Sequence, residues 1–228
     1  MKTTIDQLIS KWNIKAVIFD LDGTMLDNNT YHLAAWRQYL TDLGIQISDE
    51  AYRKHINGRT NKDAIEYIYQ RNMTSEEAMV YTLEKEAVYR RIYQPFIQPV
   101  EGLTTLLEML EQYKLPMGIA TSGIPVNIDF MFDHIPIRKF FSAIINSEHI
   151  THGKPHPEIF LRTAEALQVP PESCLVFEDA AVGIKAAKAA GMNVVALTTT
   201  QTAAELADSD QIIKNFSDLI PSENKQPG

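Results

Sequence analysis

Cysteine is nearly missing from this chain: 228 residues carry one, Cys174. No intramolecular disulfide can form, so a reducing compartment is the expected setting. Cys174 lies in the apolar run "CLVFED" and reads as a buried packing residue, because apolar surroundings raise a thiol pKa and quench its nucleophilicity. Long apolar runs are missing too. None approaches the roughly 20 residues that a membrane-spanning helix needs, and "MKTTIDQLISKWNIK" lacks the apolar core of a signal peptide. A cytoplasmic protein without membrane attachment is therefore expected. Positive charge is in deficit: 21 Lys and Arg against 29 Asp and Glu give a net charge of −8. That sign disfavours nucleic acid and anionic membranes as partners, but leaves room for a local basic pocket. Internal repeats and low-complexity tracts are also lacking.

Short, wholly apolar runs are present instead. Ala16–Phe19, Met117–Ala120, Ala143–Ile145, Leu175–Phe177, Val194–Leu197 and Ile212–Ile213 do not alternate apolar with polar, as parallel strands covered on both faces do not. Helical periods lie between them. Leu103, Leu106, Leu107 and Leu110 fall at i, i+3, i+4, i+7. Pro157 suits a first helical position and Gly191 a helix stop. Strands alternating with helices predict an α/β fold with a doubly wound, Rossmann-like parallel sheet.

Residues 28–94 break this rhythm. They hold helical patterns, clearest in "TYHLAAWRQYLTDLG" and "SEEAMVYTLEKEAVYRRIY", and no convincing strand. The expected organisation is an α/β core of residues 1–27 and 95–228 interrupted by a small helical cap domain of residues 28–94. "QPFIQPVEG" would be the return linker, and the polar tail "PSENKQPG" a frayed end.

The first strand ends in "DLDGT". Asp20 and Asp22 sit two apart, so in an extended segment both carboxylates face one side, and Gly23 permits a tight turn behind them. Ligands of open parallel sheets bind beyond the carboxyl ends of the strands, where these residues fall. Taken alone, "DLDGT" could be a polar turn. A second acidic pair, Glu178 and Asp179 in "LVFEDAAVG", ends another apolar strand and turns the reading towards a shared site. Carboxylates gathered in one crevice repel and are costly to bury. A divalent cation relieves that cost, and Mg²⁺ is typically held by one or two carboxylates, waters and a substrate phosphate.

Four segments, in this order, resemble the motifs of the haloacid dehalogenase superfamily: "DLDGT", "IATSG" with Thr121, "HGKPHPEIF" with Lys154, and "FEDAAVGIKAAKAAG". The helical insertion, with "TYHLAAW" and "GRTNKDAI", resembles the cap of the β-phosphoglucomutase-like subgroup. The resemblance implies Asp20 as a nucleophile that forms an aspartyl-phosphate and Asp22 as general acid, then general base. It implies Mg²⁺ held by Asp20, the Asp22 carbonyl and Asp179, with Glu178 as a direct or indirect ligand. Thr121 would bond the phosphoryl group and Lys154 would balance its charge. Ser122 and Gly123 would line the phosphate loop.

Within the family, Asp22 argues against dehalogenases and phosphonate hydrolases, which lack it. A phosphatase acting on a small phosphorylated metabolite, a sugar phosphate, is the favoured reading. A phosphosugar mutase, an inorganic pyrophosphatase and a non-catalytic binding protein are the alternatives. Mutases carry an arginine three residues after the cap-loop glycine; here Asn61 stands there, with Arg59 close by. They also follow the second motif with Ser-Lys-Asn, where this chain has Gly123, Ile124 and Pro125. His32, one helical turn from Trp36, and Lys85 match cap residues of the mutase pattern. His32, Arg59, Asn61 and Lys85 are accordingly the cap candidates for substrate binding. A monomer is the default assembly for the group.

Overall fold

The computed structural model describes residues 3–56 and 60–221. The chain divides into two compact units, one of Met1–Asp27 with Gln98–Gly228 and one of Asn28–Ile97. In chain order the elements are helix α1 (Ile5–Trp12), strand β1 (Ala16–Phe19), helices α2 (Asn29–Asp42), α3 (Asp49–His55), α4 (Asn61–Tyr69) and α5 (Ser75–Tyr93), then α6 (Leu103–Gln112), β2 (Met117–Ala120), α7 (Pro125–His134), β3 (Phe141–Ile145), α8 (Glu158–Leu167), β4 (Cys174–Glu178), α9 (Ala181–Ala189), β5 (Asn193–Leu197) and β6 (Gln211–Ile213).

The first unit is built on a parallel sheet with strand order β3-β2-β1-β4-β5-β6. Every residue of β1, β2 and β4 is buried, which is why these runs carry no polar alternation. One face packs Ala16, Ile18, Val176 and Val194 against Ile159, Phe160 and Ala164 of α8 and Ile184 and Ala187 of α9. On the other side, Phe19 stacks on Phe177 with ring centroids 5.1 Å apart and meets Phe216 at 6.1 Å. Each such fully buried side chain contributes about 1.5–3 kcal/mol. Strand order reverses around β1, which has β2 on one side and β4 on the other. Phe19 registers with both Ile119 and Phe177, so the chain leaves all three strands at one level. That level is a topological switch point, where sheets of this kind hold ligands.

Two local details differ from expectation. Helix α8 starts at Glu158, with Pro157 as the residue before it. Helix α1 was not anticipated; it buries Ile5 and Leu8, and the Ile5 amide donates to the Leu219 carbonyl at 2.9 Å.

The secondary-structure elements of the second unit are, among the described residues, all helices joined by short loops. Helix α5 opens with a reciprocal capping box: the Glu77 amide donates to Thr74 Oγ1 at 3.2 Å, and the Thr74 amide donates to Glu77 Oε2 at 2.8 Å. Helix α4 is capped by Thr60, which accepts from the Asp63 amide at 3.1 Å. Trp36, Leu40, Ile65, Met73 and Ala78 form its core.

Candidate active site

Burial of strand β1 fixes where its carboxyl end points, and the first site residue is the next one along. Asp20 is 6% exposed and Lys154 Nζ donates to its Oδ1 at 2.5 Å. The same ammonium donates to Glu178 Oε1, also at 2.5 Å, and sits 5.0 Å from the centroid of the Phe160 ring. Lys154 thus joins two strand ends from the loop between β3 and α8, with a cis peptide bond to Pro155. Oxygens of Asp20, Glu178 and Asp179 lie within 4.8 Å of one another, and all three residues are buried.

The segment after β4 is arranged around Glu178. Its Oε2 accepts from the amides of Asp179 at 2.8 Å and Ala180 at 2.9 Å. Its other oxygen lies over the first turn of α9, where Gly183 makes room: a Cβ there would fall 1.7 Å from Glu178 Oε1. Asp179 accepts from Thr24 Oγ1 at 3.1 Å, and Thr24 is fully buried. Gly23 has φ of +84°, a left-handed conformation in which glycine is unstrained.

Asp22 and the loop after β2 lie together. A Cβ on Gly123 would be 3.1 Å from Thr121 Oγ1 and 3.5 Å from Asp22 Oδ2. The Gly123 amide donates to Thr121 Oγ1 at 2.9 Å, and Thr121 itself is 1% exposed. Ser122 is exposed in the same loop. Ser147 Oγ donates to the Gly123 carbonyl at 3.1 Å and ties the loop to the segment after β3.

The electrostatics follow from burial. Asp20 is held well above the usual carboxylate range, first by desolvation; Lys154 pulls it down, while Glu178 and Asp179 push it up again. Asp179 is raised to about 7 by burial and by Glu178, against the opposing pull of Thr200, Lys154 and Thr24. Burial works against the Lys154 charge, yet Asp20 and Glu178 outweigh it and leave its pKa above the ordinary lysine value. Three carboxylates face one ammonium, so these four side chains carry a formal charge of −3 + 1 = −2 when ionised. A divalent cation cancels that surplus, and the all-oxygen donor set suits a hard ion such as Mg²⁺.

The sequence reading missed Thr24 and Gly183. Thr24 was in view as the end of "DLDGT" but had no chemistry of its own. Gly183 was hidden in a helical pattern, and only the carboxylate above it explains it.

The cap candidates belong to the second unit. Lys85 and Glu86 are buried, 2% and 3% exposed, and Lys85 Nζ donates to Glu86 Oε1 at 2.8 Å. Lys85 also lies 3.2 Å from His32 Nδ1 and 4.8 Å from the Trp36 ring centroid. Asn61 Nδ2 donates to Glu86 Oε1 at 3.2 Å. His32 stacks on Tyr89, centroids 3.8 Å apart and nearly parallel. His32, Asn61 and Lys85 are thus gathered around Glu86, which the sequence reading did not single out. Arg59 lies outside the described residues.

This parallel sheet and the acidic centre at its strand ends define a Rossmann-like phosphotransfer hydrolase. The chain belongs to the haloacid dehalogenase-like hydrolase family, whose model matches residues 17–197. It is 32% identical over 181 residues to the fructose-1-phosphate phosphatase YqaB of Escherichia coli K12, covering 78% of this chain and 94% of that one. It is 30% identical to the β-phosphoglucomutase of Bacillus subtilis 168, over 90% and 92% of the two chains. The crystal structure of a family IA, variant 3 hydrolase from Entamoeba histolytica superposes with a TM-score of 0.82 at 30% identity, covering 92% of this chain and 97% of that one. Of these, the first is a phosphatase and the second a phosphomutase, and phosphatase or phosphotransferase activity is what they support. No helix among the described residues is long and apolar enough to cross a membrane.

Proposed function

We propose that this enzyme is a Mg²⁺-dependent phosphatase that hydrolyses a small sugar phosphate through an aspartyl-phosphate on Asp20. The observation that carries the reading is Lys154, bonded at once to Asp20 and Glu178 beside Asp179. A nucleophilic carboxylate needs its negative charge balanced without being protonated, and a buried lysine with a raised pKa does that.

In the first step an Asp20 oxygen attacks phosphorus and the ester P–O bond breaks. Asp22 gives its proton to the leaving oxygen, so the sugar departs as an alcohol. In the second step Asp22 takes a proton from water, the hydroxide oxygen attacks phosphorus, and the acyl-phosphate P–O bond breaks to return Asp20. Lys154 and Thr121 stabilise the oxygens that gain charge, and Ser122 and Gly123 frame the phosphate. Asp20, the Asp22 carbonyl, Asp179 and Glu178 would hold Mg²⁺. When bound, the ion neutralises charge on the phosphoryl oxygens.

Hydrolysis is favoured over mutase chemistry by the cap residues. A mutase must grip a second phosphate, which calls for surplus positive charge. Among the described cap candidates the cation is Lys85, and Glu86 balances it at 2.8 Å. Asn61 is neutral and occupied with the same carboxylate. Such a cluster suits the hydroxyls of a neutral sugar body. The enzyme acts as a cytoplasmic monomer in this reading.

The test is Mg²⁺-dependent phosphate release over a panel of sugar phosphates, nucleotides and pyrophosphate, beside a coupled assay for conversion of β-glucose 1-phosphate to glucose 6-phosphate. Asp20→Asn should abolish turnover in both assays with the fold intact by circular dichroism. Asp22→Asn should slow phosphate release by roughly 10²–10⁴-fold, the usual worth of a general acid–base. Isomerisation outrunning hydrolysis would transfer the reading to a mutase. Near-normal activity of Asp20→Asn would remove the mechanism altogether.

A further inference from the structure

A second group of ligating side chains stands on the loop that carries Lys154. His152, His156 and Glu158 each offer an atom within 4.8 Å of the other two. His152 Nδ1 is 3.1 Å from Glu158 Oε2, and the two imidazole rings lie 4.6 Å apart between centroids. We propose that these three residues form a second metal site, distinct from the carboxylate centre, that takes a borderline transition-metal dication such as Zn²⁺.

The donor sets divide the two sites. Three carboxylates suit Mg²⁺, whereas two imidazoles with one carboxylate suit zinc, nickel or copper and reject a hard ion. The spacing also fits. Two ligands bonded to Zn²⁺ at about 2.0–2.1 Å in tetrahedral array lie roughly 3.3 Å apart, close to the His152–Glu158 separation. His156 offers a ligand atom within 4.8 Å of the other two, with its Nδ1 accepting from the Glu158 amide at 3.3 Å, and the fourth position would go to water.

The carboxylate is held in place rather than left loose on the surface. Glu158 accepts from the amides of Thr151 at 3.1 Å and His152 at 2.9 Å, and from Arg162 Nε at 2.9 Å. Arg162 pairs with Oε1, while Oε2 accepts from the Thr151 and His152 amides at 3.1 and 2.9 Å and faces His152 Nδ1, between which and Oε2 the ion would enter. The His152 and Thr151 amides, with Arg162, hold the Glu158 carboxyl below the usual carboxylate range. The imidazoles are exposed, so an ion can enter from solvent without opening the fold. Lys154 lies between His152 and His156 in the chain. An ion at this site therefore braces the loop that delivers Lys154 to Asp20.

The experiment is a Zn²⁺ titration of the untagged chain in excess Mg²⁺, by calorimetry and by competition with a chromogenic zinc chelator. The wild type should bind one more Zn²⁺ per chain than the His152→Ala/His156→Ala variant, and only the wild type should gain melting temperature from that equivalent. Both histidines are exposed, so the variant should match the wild type in circular dichroism and zinc-free melting temperature. Co²⁺ gives a second readout that does not depend on the variant: visible d–d bands of imidazole-bound cobalt should appear with the wild type in Mg²⁺. Equal zinc stoichiometry and affinity in wild type and variant would overturn the proposal, as would the absence of those bands. Neither readout depends on catalysis, so the result stands apart from the phosphatase reading.

Discussion

Lys154 sets the charge state of the residues it touches. Remove its ammonium and Asp20 and Glu178 remain buried side by side, their desolvation uncompensated. Asp20, already held high, would then take up a proton more readily and lose its nucleophilic form. Lys154→Ala should therefore cost roughly 10²–10³-fold in phosphate release, the scale expected for loss of one preorganised charge. The loss should fall mainly on kcat, since the contact matters most as charge moves onto the phosphoryl oxygens. A drop confined to KM, seen in steady-state kinetics, would make Lys154 a substrate anchor instead. Cys174 is the opposite kind of residue. It is fully buried, and desolvation with Glu172 nearby pushes its thiol up to about 11. It should resist alkylation by iodoacetamide in the native chain at pH 8 and react in denaturant, as mass spectrometry of the intact chain would record.

Helix α9 exists in its present place because its first turn contains a glycine. Any side chain at position 183 meets the Glu178 carboxylate, so Gly183→Ala must displace either the helix or the carboxylate. Overpacking of this kind costs about 1–3 kcal/mol, and a displaced Glu178 would weaken Mg²⁺ binding. The expected result is a lower midpoint in urea together with a higher Mg²⁺ requirement for activity. A variant with wild-type values of both would show that the turn yields without strain. This element also marks the limit of sequence reading. The strands were legible because their two covered faces demand unbroken apolar runs, and α5 was legible as the helical pattern "SEEAMVYTLEKEAVYRRIY", while its capping box came to light in the structure. Asp20, Glu178 and Lys154 were legible as candidates through their motifs. Gly183 was not, because its reason lies in a side chain five residues away that folds back over the helix. Helix α1 was not either, although Ile5, Leu8 and Ile9 have helical spacing. Eight residues cannot hold a helix alone, and its partners, at Leu219 and through the Tyr113 hydroxyl on Asp6, lie more than 100 residues along the chain. The Lys85–Glu86–Asn61 cluster was half legible: each residue could be picked out or passed over, but their pairing depends on how α4 and α5 meet.

At the scale of the whole molecule, the acidic centre ties stability to pH and to the metal. Asp20 and Asp179 both have folded-state pKa values above their unfolded ones, Asp179 at about 7 against 3.8. A carboxylate raised in this way favours the folded state when protonated. Its contribution is present in full below the unfolded value and is lost as pH rises through the folded one. Without divalent cations, the chain should therefore melt at a lower temperature at pH 8 than at pH 5.5. A cation bound to the ionised carboxylates supplies in charge what the protons no longer do, and it binds the folded state alone. Saturating Mg²⁺ should accordingly raise the melting temperature far more at pH 8 than at pH 5.5. At the lower pH the ion must first displace protons, so its apparent affinity should climb between about pH 6 and 8 and level off above. Calorimetry below pH 7, in buffers of different ionisation enthalpy, should show proton release on Mg²⁺ binding. Thermal melts in EDTA and in Mg²⁺ at the two pH values decide the matter. If metal-free stability rose from pH 5.5 to 8, or if Mg²⁺ stabilised equally at both, the buried carboxylates would not be sharing protons as their surroundings dictate. The charge balance assigned to Lys154 would then have to be redrawn.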